Sequence, residues 1–283
     1  MASRHVASQR AASRQALPRP TPRRTANPFV AVPGQPVPPW KTVLAYLAAV
    51  ALVVAFFWAS LAAAGVALNL DFVAQYRVRI LDGLGLTVGV SAASLVVSLL
   101  VGVPVTLGQT CRVLPVRALC NLYVTVIRGT PLLVQIYLFY YVVGTAWGID
   151  NRVVAGVLIL SVFAGAYIAE ILRGAYASID PEQLEAARAV GFTRWQTARH
   201  VVLPQLVALA LPALAGQFAN IVKDSSLLSV ISVIELTQTM REISATNYNF
   251  FGCYLLLGAI YLALTLPIMA LSRHLEKRLD HAR

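Results

Sequence analysis

Five polar side chains fall within or beside long apolar stretches of this sequence: Arg128, Glu170, Asn220, Lys223 and Asp224. A charge near the centre of a bilayer costs roughly a few kcal/mol or more, so such residues are candidates for a functional role by default. Their chemistry is recognition, because a carboxylate can contact an ammonium or guanidinium group and a cationic side chain can contact a carboxylate.

Glu170 has two interpretations. It precedes Arg173 by three residues, a spacing that places both side chains on one helix face and predicts an ion pair near the end of a span. Alternatively, it points into a central pathway and contacts the cationic group of a substrate. The residues alone leave both interpretations open.

The other four side chains also have local interpretations. Arg128 begins an Arg-Gly-Thr-Pro turn, where we expect it to donate hydrogen bonds to carbonyls freed by Pro131. Lys223 and Asp224 are adjacent at the outer end of their span, which predicts a mutual pair. Asn220 either lines the pathway or bonds to a neighbouring helix.

The sequence has no constellation that would perform bond chemistry. The three cysteines show no C-x-x-C spacing and the four histidines lie in polar segments, so we predict no metal site. No nucleophile with a base and no convergent acids are visible in the apolar stretches. The G-x-x-x-x-G-K-[ST] motif that cradles phosphates is missing as well. We therefore predict no catalytic residue and no cofactor bound by this chain.

The composition indicates where these side chains lie. Hydrophobic residues make up 58% of the 283 and charged residues only 12%, with a mean hydropathy of +0.69, far from a soluble domain's balance. Residues 1–41 are basic, contain no acid and have the composition of a disordered tail. Six apolar segments follow, each near the ~20 residues that cross a bilayer. They are residues 42–66, 84–107, 118–143, 153–172, 205–222 and 250–271.

Two segments need separate treatment. The third apolar segment contains Pro131, which predicts either a kinked span or an interfacial helix followed by a shorter one. Residues 225–243 are amphipathic, and we expect them to form a short gate-like helix at the outer face between the last two spans.

One long polar passage, residues 180–204, separates two of the spans. Its pattern predicts two capped helices, with Asp180 and Gln183 forming the first capping box and Thr193 and Gln196 the second. Gly191 between them is the residue type that ends helices in the left-handed conformation. Pro204 is expected to redirect the chain. We call residues 180–204 the elbow.

The elbow resembles the EAA motif of permease subunits of type I ABC importers, on Glu185-Ala186-Ala187, Gly191 and Leu203-Pro204. Three other stretches resemble the polar-amino-acid branch of that family. They are IRGTPLLVQ (127–135), GAYIAEILRGAYASI (165–179) and VKDSSLLSVISVIEL (222–236). The resemblance covers roughly residues 83 to 280.

This resemblance implies a non-catalytic transport subunit. Its elbow would dock on a cytoplasmic ABC ATPase subunit, which binds and hydrolyses ATP with Mg²⁺. The docking residues implied are Glu185, Ala186, Ala187, Gly191, Arg194 and Trp195. Trp195 has a second interpretation, as an anchor at the lipid headgroups. Further implied partners are a second permease subunit, identical or different, and an extracellular substrate-binding protein. The implied cargo is a polar L-amino acid, whether basic, glutamine, glutamate or similar.

Lysine and arginine positions predict the orientation. Most of the 23 fall in the termini and in the loops at 108–117 and 173–204, which therefore lie in the cytosol. The same asymmetry explains the net charge of +11 without a nucleic-acid partner. A secondary transporter is the main alternative, but no internal repeat is visible.

The predicted fold class is an all-α integral membrane protein with six transmembrane helices and both termini cytoplasmic. One N-terminal helix precedes a five-helix type I ABC permease core. The predicted domains are a tail at 1–41, a span at 42–66, a permease domain at 83–275 and a basic C-terminus at 276–283. The predicted location is the bacterial cytoplasmic membrane, crossed several times.

Overall fold

The computed structural model describes residues 38–65 and 68–280, and these contain helices and no strand. Most of the predicted tail, residues 1–37, lies outside the described residues, as do 66–67 and 281–283. The helices are α1 Pro39–Ala64, α2 Phe72–Gln75, α3 Arg77–Thr110, α4 Leu114–Gly129, α5 Leu132–Leu138, α6 Arg152–Ala177, α7 Pro181–Ala189, α8 Arg194–Thr197, α9 Leu203–Asp224, α10 Leu236–Asn247 and α11 Phe250–Asp280. The chain divides into two compact units, Met1–Ala67 and Leu68–Arg283.

In the first unit, α1 is a single apolar helix. It starts with proline at its first position. A backbone N–H there would have no partner within the helix, so proline, which lacks one, costs no hydrogen bond. It ends at Gly65, which is left-handed at φ +64°. Its 26 residues have no buried member, and at ~1.5 Å per residue they are long enough to cross the hydrocarbon.

Five helices of the chain are long and apolar enough to span a membrane within the described residues, and a bent pair brings the number to six. The bent pair is α4 with the helix from Leu132 to Gly144, which turn by 111° at Pro131. Thr130 is extended there, as expected for a residue before proline. The chain therefore breaks at this proline, as both predicted alternatives require, and the predicted count of six is reached only with this pair as one span.

The second unit is organised around α6. More than half of an 18-residue apolar stretch of this helix is buried, and α3 packs along it. Small residues let the two backbones approach closely, since a Cβ on Gly102 would come within 2.6 Å of Ile168 Cγ2. Thr106 Oγ1 donates to the Ala169 carbonyl at 3.2 Å, and Ser161 Oγ donates to the Ser94 carbonyl at 3.3 Å. Helix α9 packs against α6 and α11.

The amphipathic segment predicted as one helix over residues 225–243 is divided in two. A 3₁₀ helix over Ser225–Ile231 ends at Ser232, which is left-handed at φ +58°. Helix α10 then begins after Glu235, whose carboxylate accepts hydrogen bonds from Thr237 N and Gln238 N. The prediction of one continuous helix was wrong because a left-handed residue and a new N-cap separate the two parts.

Pro204 does not redirect the chain. The helical path runs unbroken for 38 residues from Arg194 to Ile231, through a π-helical turn at Ala198–Val202. A proline inside an α-helix clashes with the carbonyl four residues earlier, and the wider π turn lies where that clash would arise. The second helix of the elbow is therefore the first part of the span that contains α9.

Candidate functional site

The first half of the elbow is fastened to the following span. Asp180 Oδ1 accepts a hydrogen bond from Glu182 N at 2.9 Å, which confirms the predicted N-cap. Gln183 does not complete a capping box; its Oε1 instead accepts from Gln205 Nε2 at 2.6 Å. This bond joins α7 to the beginning of α9. The predicted box was wrong because this side chain has a partner 22 residues away.

The turn and the second cap agree with the sequence pattern. Gly191 is left-handed at φ +82°, and Phe192 N donates to the Ala187 carbonyl at 3.0 Å. Thr193 and Gln196 form the predicted reciprocal capping box, with bonds of 3.3 and 2.8 Å. The elbow is therefore the short capped helix α7 and the capped start of the long helix from Arg194, joined at a glycine whose left-handed conformation residues with side chains seldom adopt.

The elbow presents a mixed polar and apolar surface. Glu185, Ala186, Gly191 and Arg194 are exposed, and Trp195 is 72% exposed. Apolar Val190 and Phe192 lie beside them, also exposed. Ala187 differs from its neighbours because it is buried against the protein. Its burial separates it from the other five residues that the resemblance implies for docking, all of which are exposed.

Two of the charged residues predicted in the spans, Arg128 and Glu170, lie in one cluster between α4 and α6. Arg128 Nη1 lies 3.0 Å from Glu170 Oε2. Arg173 donates to both oxygens of the same carboxylate, at 2.8 and 2.9 Å. The Arg128 guanidinium also lies over the Tyr167 ring, 5.4 Å from its centre. The predicted Glu170–Arg173 pair is thus present, with a second arginine that the spacing did not indicate.

Arg128 does not bond the carbonyls near Pro131 in the part of the chain that the structure describes. Gln135 does so instead, donating from Nε2 to the Ile127 carbonyl at 2.8 Å and to Thr130 Oγ1 at 2.7 Å. Sequence reasoning missed Gln135, although a buried amide one turn after a proline is well placed to bond the carbonyls that proline leaves unpaired.

A cavity of about 680 Å³ adjoins this cluster. It is lined by Gln109, Arg117, Asn121, Val124, Thr125, Arg128, Gly129, Tyr167, Glu170 and Arg173. Its three arginines outnumber its one acid, so its local charge is positive. Gln109 donates to Asn121 Oδ1 at 3.2 Å, while its own buried Oε1 has no hydrogen-bond partner.

The remaining predicted residues lie on α9, away from this cluster. Asn220 is exposed and its Nδ2 donates weakly to Gln217 Oε1 at 3.4 Å. Lys223 is exposed and Asp224 is half-buried, and they form no ion pair with each other among the described residues. The predicted mutual pair was wrong because adjacent residues on a helix point about 100° apart.

Glu235 was not singled out by the sequence pattern, yet it is a fully buried acid. Its carboxylate accepts bonds from Thr237 N and Gln238 N, both at 2.8 Å, and from Tyr261 Oη at 3.0 Å. Burial raises the pKa of this carboxyl, against the lowering effect of those donors. The available signal was its place directly before an amphipathic run, where caps occur.

No group of three or more histidine, cysteine, aspartate or glutamate residues in the described ranges could hold a metal ion.

Comparison with known proteins adds an independent line of information. Residues 85–281 match the model of the family described as binding-protein-dependent transport system inner membrane component. The probable glutamine ABC transporter permease protein GlnM of Bacillus subtilis is 34% identical over 200 residues, which span 71% of this chain and 93% of that protein. The glutamine transport system permease protein GlnP of Escherichia coli K12 is 34% identical over 203 residues, or 71% and 92% of the two chains.

A solved structure shares the fold. A chain from the crystal structure of an amino acid ABC transporter with histidines superposes with a TM-score of 0.68 and 33% sequence identity. The match covers 74% of this chain and 99% of that one. The family match begins at residue 85, beyond the end of α1.

Proposed function

The chain belongs to the family of binding-protein-dependent transport system inner membrane components, and on that premise we propose that it forms the translocation pathway for polar L-amino acids in an ATP-driven importer. The observation that carries the proposal is the match over residues 85–281, which includes the elbow and the charged cluster. Glutamine appears in the names of two relatives. Basic amino acids, glutamine and glutamate all stay within the proposed substrate class.

Family membership implies partners that supply energy and substrate. The sequence has no phosphate-binding loop, so ATP and Mg²⁺ are bound by separate ATPase subunits. A second permease subunit completes the pathway, and an extracellular binding protein delivers the cargo. We propose that both termini and the elbow lie in the cytosol, in agreement with the distribution of lysine and arginine.

The elbow has the features needed to couple the ATPase to the spans. Its exposed surface includes Glu185, Ala186, Arg194 and Trp195, and this is the surface that we propose docks on the ATPase. The helix that begins at Arg194 continues without a break to Ile231. Because a helix transmits displacement along its axis, movement of the docked elbow would tilt α9 as a unit. The Gln183–Gln205 bond supports this by joining α7 to the same span.

We assign the substrate pathway to the exposed face of α9 around Asn220 and Lys223, and to the side of the cavity formed by Arg128 and Glu170. An amino acid brings both an ammonium and a carboxylate, each of which must replace its lost water contacts. Lys223 offers a cationic partner for the carboxylate. Glu170 offers an anionic one, but its two oxygens already receive both arginines. Asp224, half-buried beside Lys223, is a second anionic candidate.

The test is uptake in proteoliposomes that contain this chain and the ATPase with which it copurifies. The binding protein is added outside and labelled glutamine, glutamate and arginine are supplied in turn. We expect uptake of at least one of them to require internal ATP and to proceed without an ion gradient. A partner ATPase whose phosphate-binding lysine is replaced is the control and should abolish uptake. Uptake that follows a proton or sodium gradient and ignores ATP would overturn the proposal.

A further inference from the structure

A second cavity, of about 490 Å³, lies behind the elbow, where three spans end. The ends of α3 and α6 form one wall, and α7, α8 and the start of α9 form the other. Its lining is Thr106, Leu107, Thr110, Leu172, Tyr176, Leu184, Arg188, Phe192, Arg194, Thr197, Ala198, Val202 and Leu206. It shares no residue with the cavity beside Glu170, and of the proposed docking surface of the elbow it includes Arg194 but not Glu185, Ala186 or Trp195.

The charged residues that line this cavity are all cationic. Arg188 and Arg194 contribute two cationic groups, and no acid is among the lining residues. Neither guanidinium has an ion pair or a side-chain hydrogen bond in the part of the chain that the structure describes. The hydroxyls of Thr106 and Thr110 donate to backbone carbonyls of their own helix, at 2.8 and 3.1 Å. The two arginines are therefore the charged donors left for a ligand, and the hydroxyls of Tyr176 and Thr197 are further polar groups of the lining.

Most of the remaining lining is apolar and comes from the spans and the elbow. Leu172 lies on α6 and Leu206 on α9, each a few residues from the helix end that faces the elbow. Phe192, from the glycine turn, closes the same wall. A ligand that fits this lining has an anionic head for the arginines and a hydrocarbon part for the leucines. A phospholipid meets both requirements, and basic pockets between spans at the cytoplasmic surface bind such headgroups.

We propose that this cavity binds one anionic phospholipid of the leaflet that borders the elbow, with its phosphate between Arg188 and Arg194 and an acyl chain along Leu172 and Leu206. The cytoplasmic identity of that leaflet rests on the proposed function. The bound lipid would fill the space between the elbow and the spans, so that displacement of α7 and α8 is passed to α3 and α6 as well as to α9. An elbow without the lipid would contact those two helices less completely.

The test measures lipid binding directly and needs neither ATPase nor substrate, so its failure is distinct from failure of the proposed function. The full chain, purified in a neutral detergent, is titrated with dioleoyl phosphatidylglycerol, dioleoyl phosphatidylcholine or inorganic phosphate. The readouts are the unfolding temperature and the lipid retained in native mass spectra. We expect phosphatidylglycerol alone to raise the unfolding temperature and to remain bound.

Arginine variants locate the binding. Near a membrane surface each arginine contributes about fivefold in affinity, so Arg188→Gln should weaken phosphatidylglycerol about fivefold and the double variant with Arg194→Gln about 25-fold. Arg199→Gln is the control, because Arg199 is exposed on the same elbow but does not line the cavity. It should bind within about twofold of the wild type.

A cavity-filling variant provides a second test that does not depend on the folding of the arginine variants. Ala198→Phe keeps both arginines and places a ring in the space proposed for the lipid, so it should lose phosphatidylglycerol while unfolding cooperatively. The proposal is overturned by unchanged binding in the double arginine variant or in Ala198→Phe. An equal response to phosphatidylcholine or to inorganic phosphate also overturns it. An Arg188→Gln chain that binds lipid normally but no longer copurifies with the ATPase also overturns the proposal, because that result shows that Arg188 contacts the ATPase and not a lipid.

Discussion

Arg128 and Glu170 join two spans, with 3.0 Å between Nη1 of the arginine on α4 and Oε2 of the glutamate on α6. Their helices are separate in sequence, and they also pack together through Val124 and Ile127 of α4 and Ala166 and Ala169 of α6. Arg173 holds the same carboxylate from one turn further along α6. Glu170 is therefore the shared partner of two cations, and a substrate ammonium would have to compete with both.

Replacing Glu170 with glutamine distinguishes structural pairing from substrate contact. We expect the half-saturation for transport to stay unchanged, and stability to fall by at most about 1 kcal/mol because all three side chains are partly exposed. A double-mutant cycle with Arg128→Met should recover a coupling energy of that size. If Glu170 contacts the cationic group of the substrate, half-saturation at saturating binding protein would instead rise about 10- to 150-fold.

Gly191→Val should displace the elbow without a steric clash. No atom lies within 4 Å of a Cβ built at Gly191, but its φ of +82° strains any β-branched residue by about 1–3 kcal/mol. We expect the variant to insert into the membrane yet copurify with less ATPase and lose ATP-dependent uptake. Gly191→Asn is the control and should retain more of both, since asparagine tolerates this conformation. Normal uptake and ATPase association in the valine variant would remove the coupling role.

Close packing of α3 on α6 should make two glycines of α3 respond in opposite ways. Gly102→Ala brings its new methyl group within 2.6 Å of Ile168 Cγ2 and should destabilise the fold by about 1–3 kcal/mol. Gly89→Ala meets nothing within 4 Å and should be neutral or stabilising by up to about 1 kcal/mol. Unfolding in detergent measures both. Equal effects would contradict the helix contact.

The buried Glu235 carboxyl should make stability depend on pH. Burial raises its folded-state pKa, so the folded protein binds this proton more tightly than the unfolded chain. The stabilisation is fully present below the unfolded pKa of about 4.3 and is lost as pH rises from there through the folded pKa. Glu235→Gln keeps an oxygen for the α10 cap and should reduce this pH dependence, measured as unfolding temperature between pH 4 and 8.

The control for that prediction removes the cap itself. Glu235→Ala should cost about 0.5–2 kcal/mol at every pH, because the N–H groups of Thr237 and Gln238 lose their acceptor. Identical pH profiles for the wild type and the glutamine variant would show that the burial of this acid has no effect on stability.

The orientation can be read from cysteine labelling in intact cells. With the three native cysteines replaced, Gln75→Cys before α3 should react with a membrane-impermeant thiol reagent, whereas Glu182→Cys in the elbow should react only after lysis. Both positions are exposed, so accessibility within the protein does not explain a difference. The opposite pattern would place the elbow outside the cell and refute the proposed topology.

The sequence by itself determined the features that depend on near neighbours. The length of each apolar run, the cap at Asp180, the box of Thr193 and Gln196 and the left-handed Gly191 involve groups a few residues apart. Backbone sterics and local hydrogen bonds decide them, so they can be read directly from residue types. The EAA-like motif that carries the family resemblance lies in the same stretch of the chain, residues 180–204.

The tertiary structure alone decided which distant partner each polar group takes. Gln183 bonds Gln205 instead of its own helix end, Glu170 acquires Arg128 from another span, and Ala187 is buried while Ala186 is not. A side chain with several possible partners pairs with whichever the packing of the helices brings within about 3 Å. That packing follows from small residues on α3 and α6, whose contacts have no signature in sequence spacing.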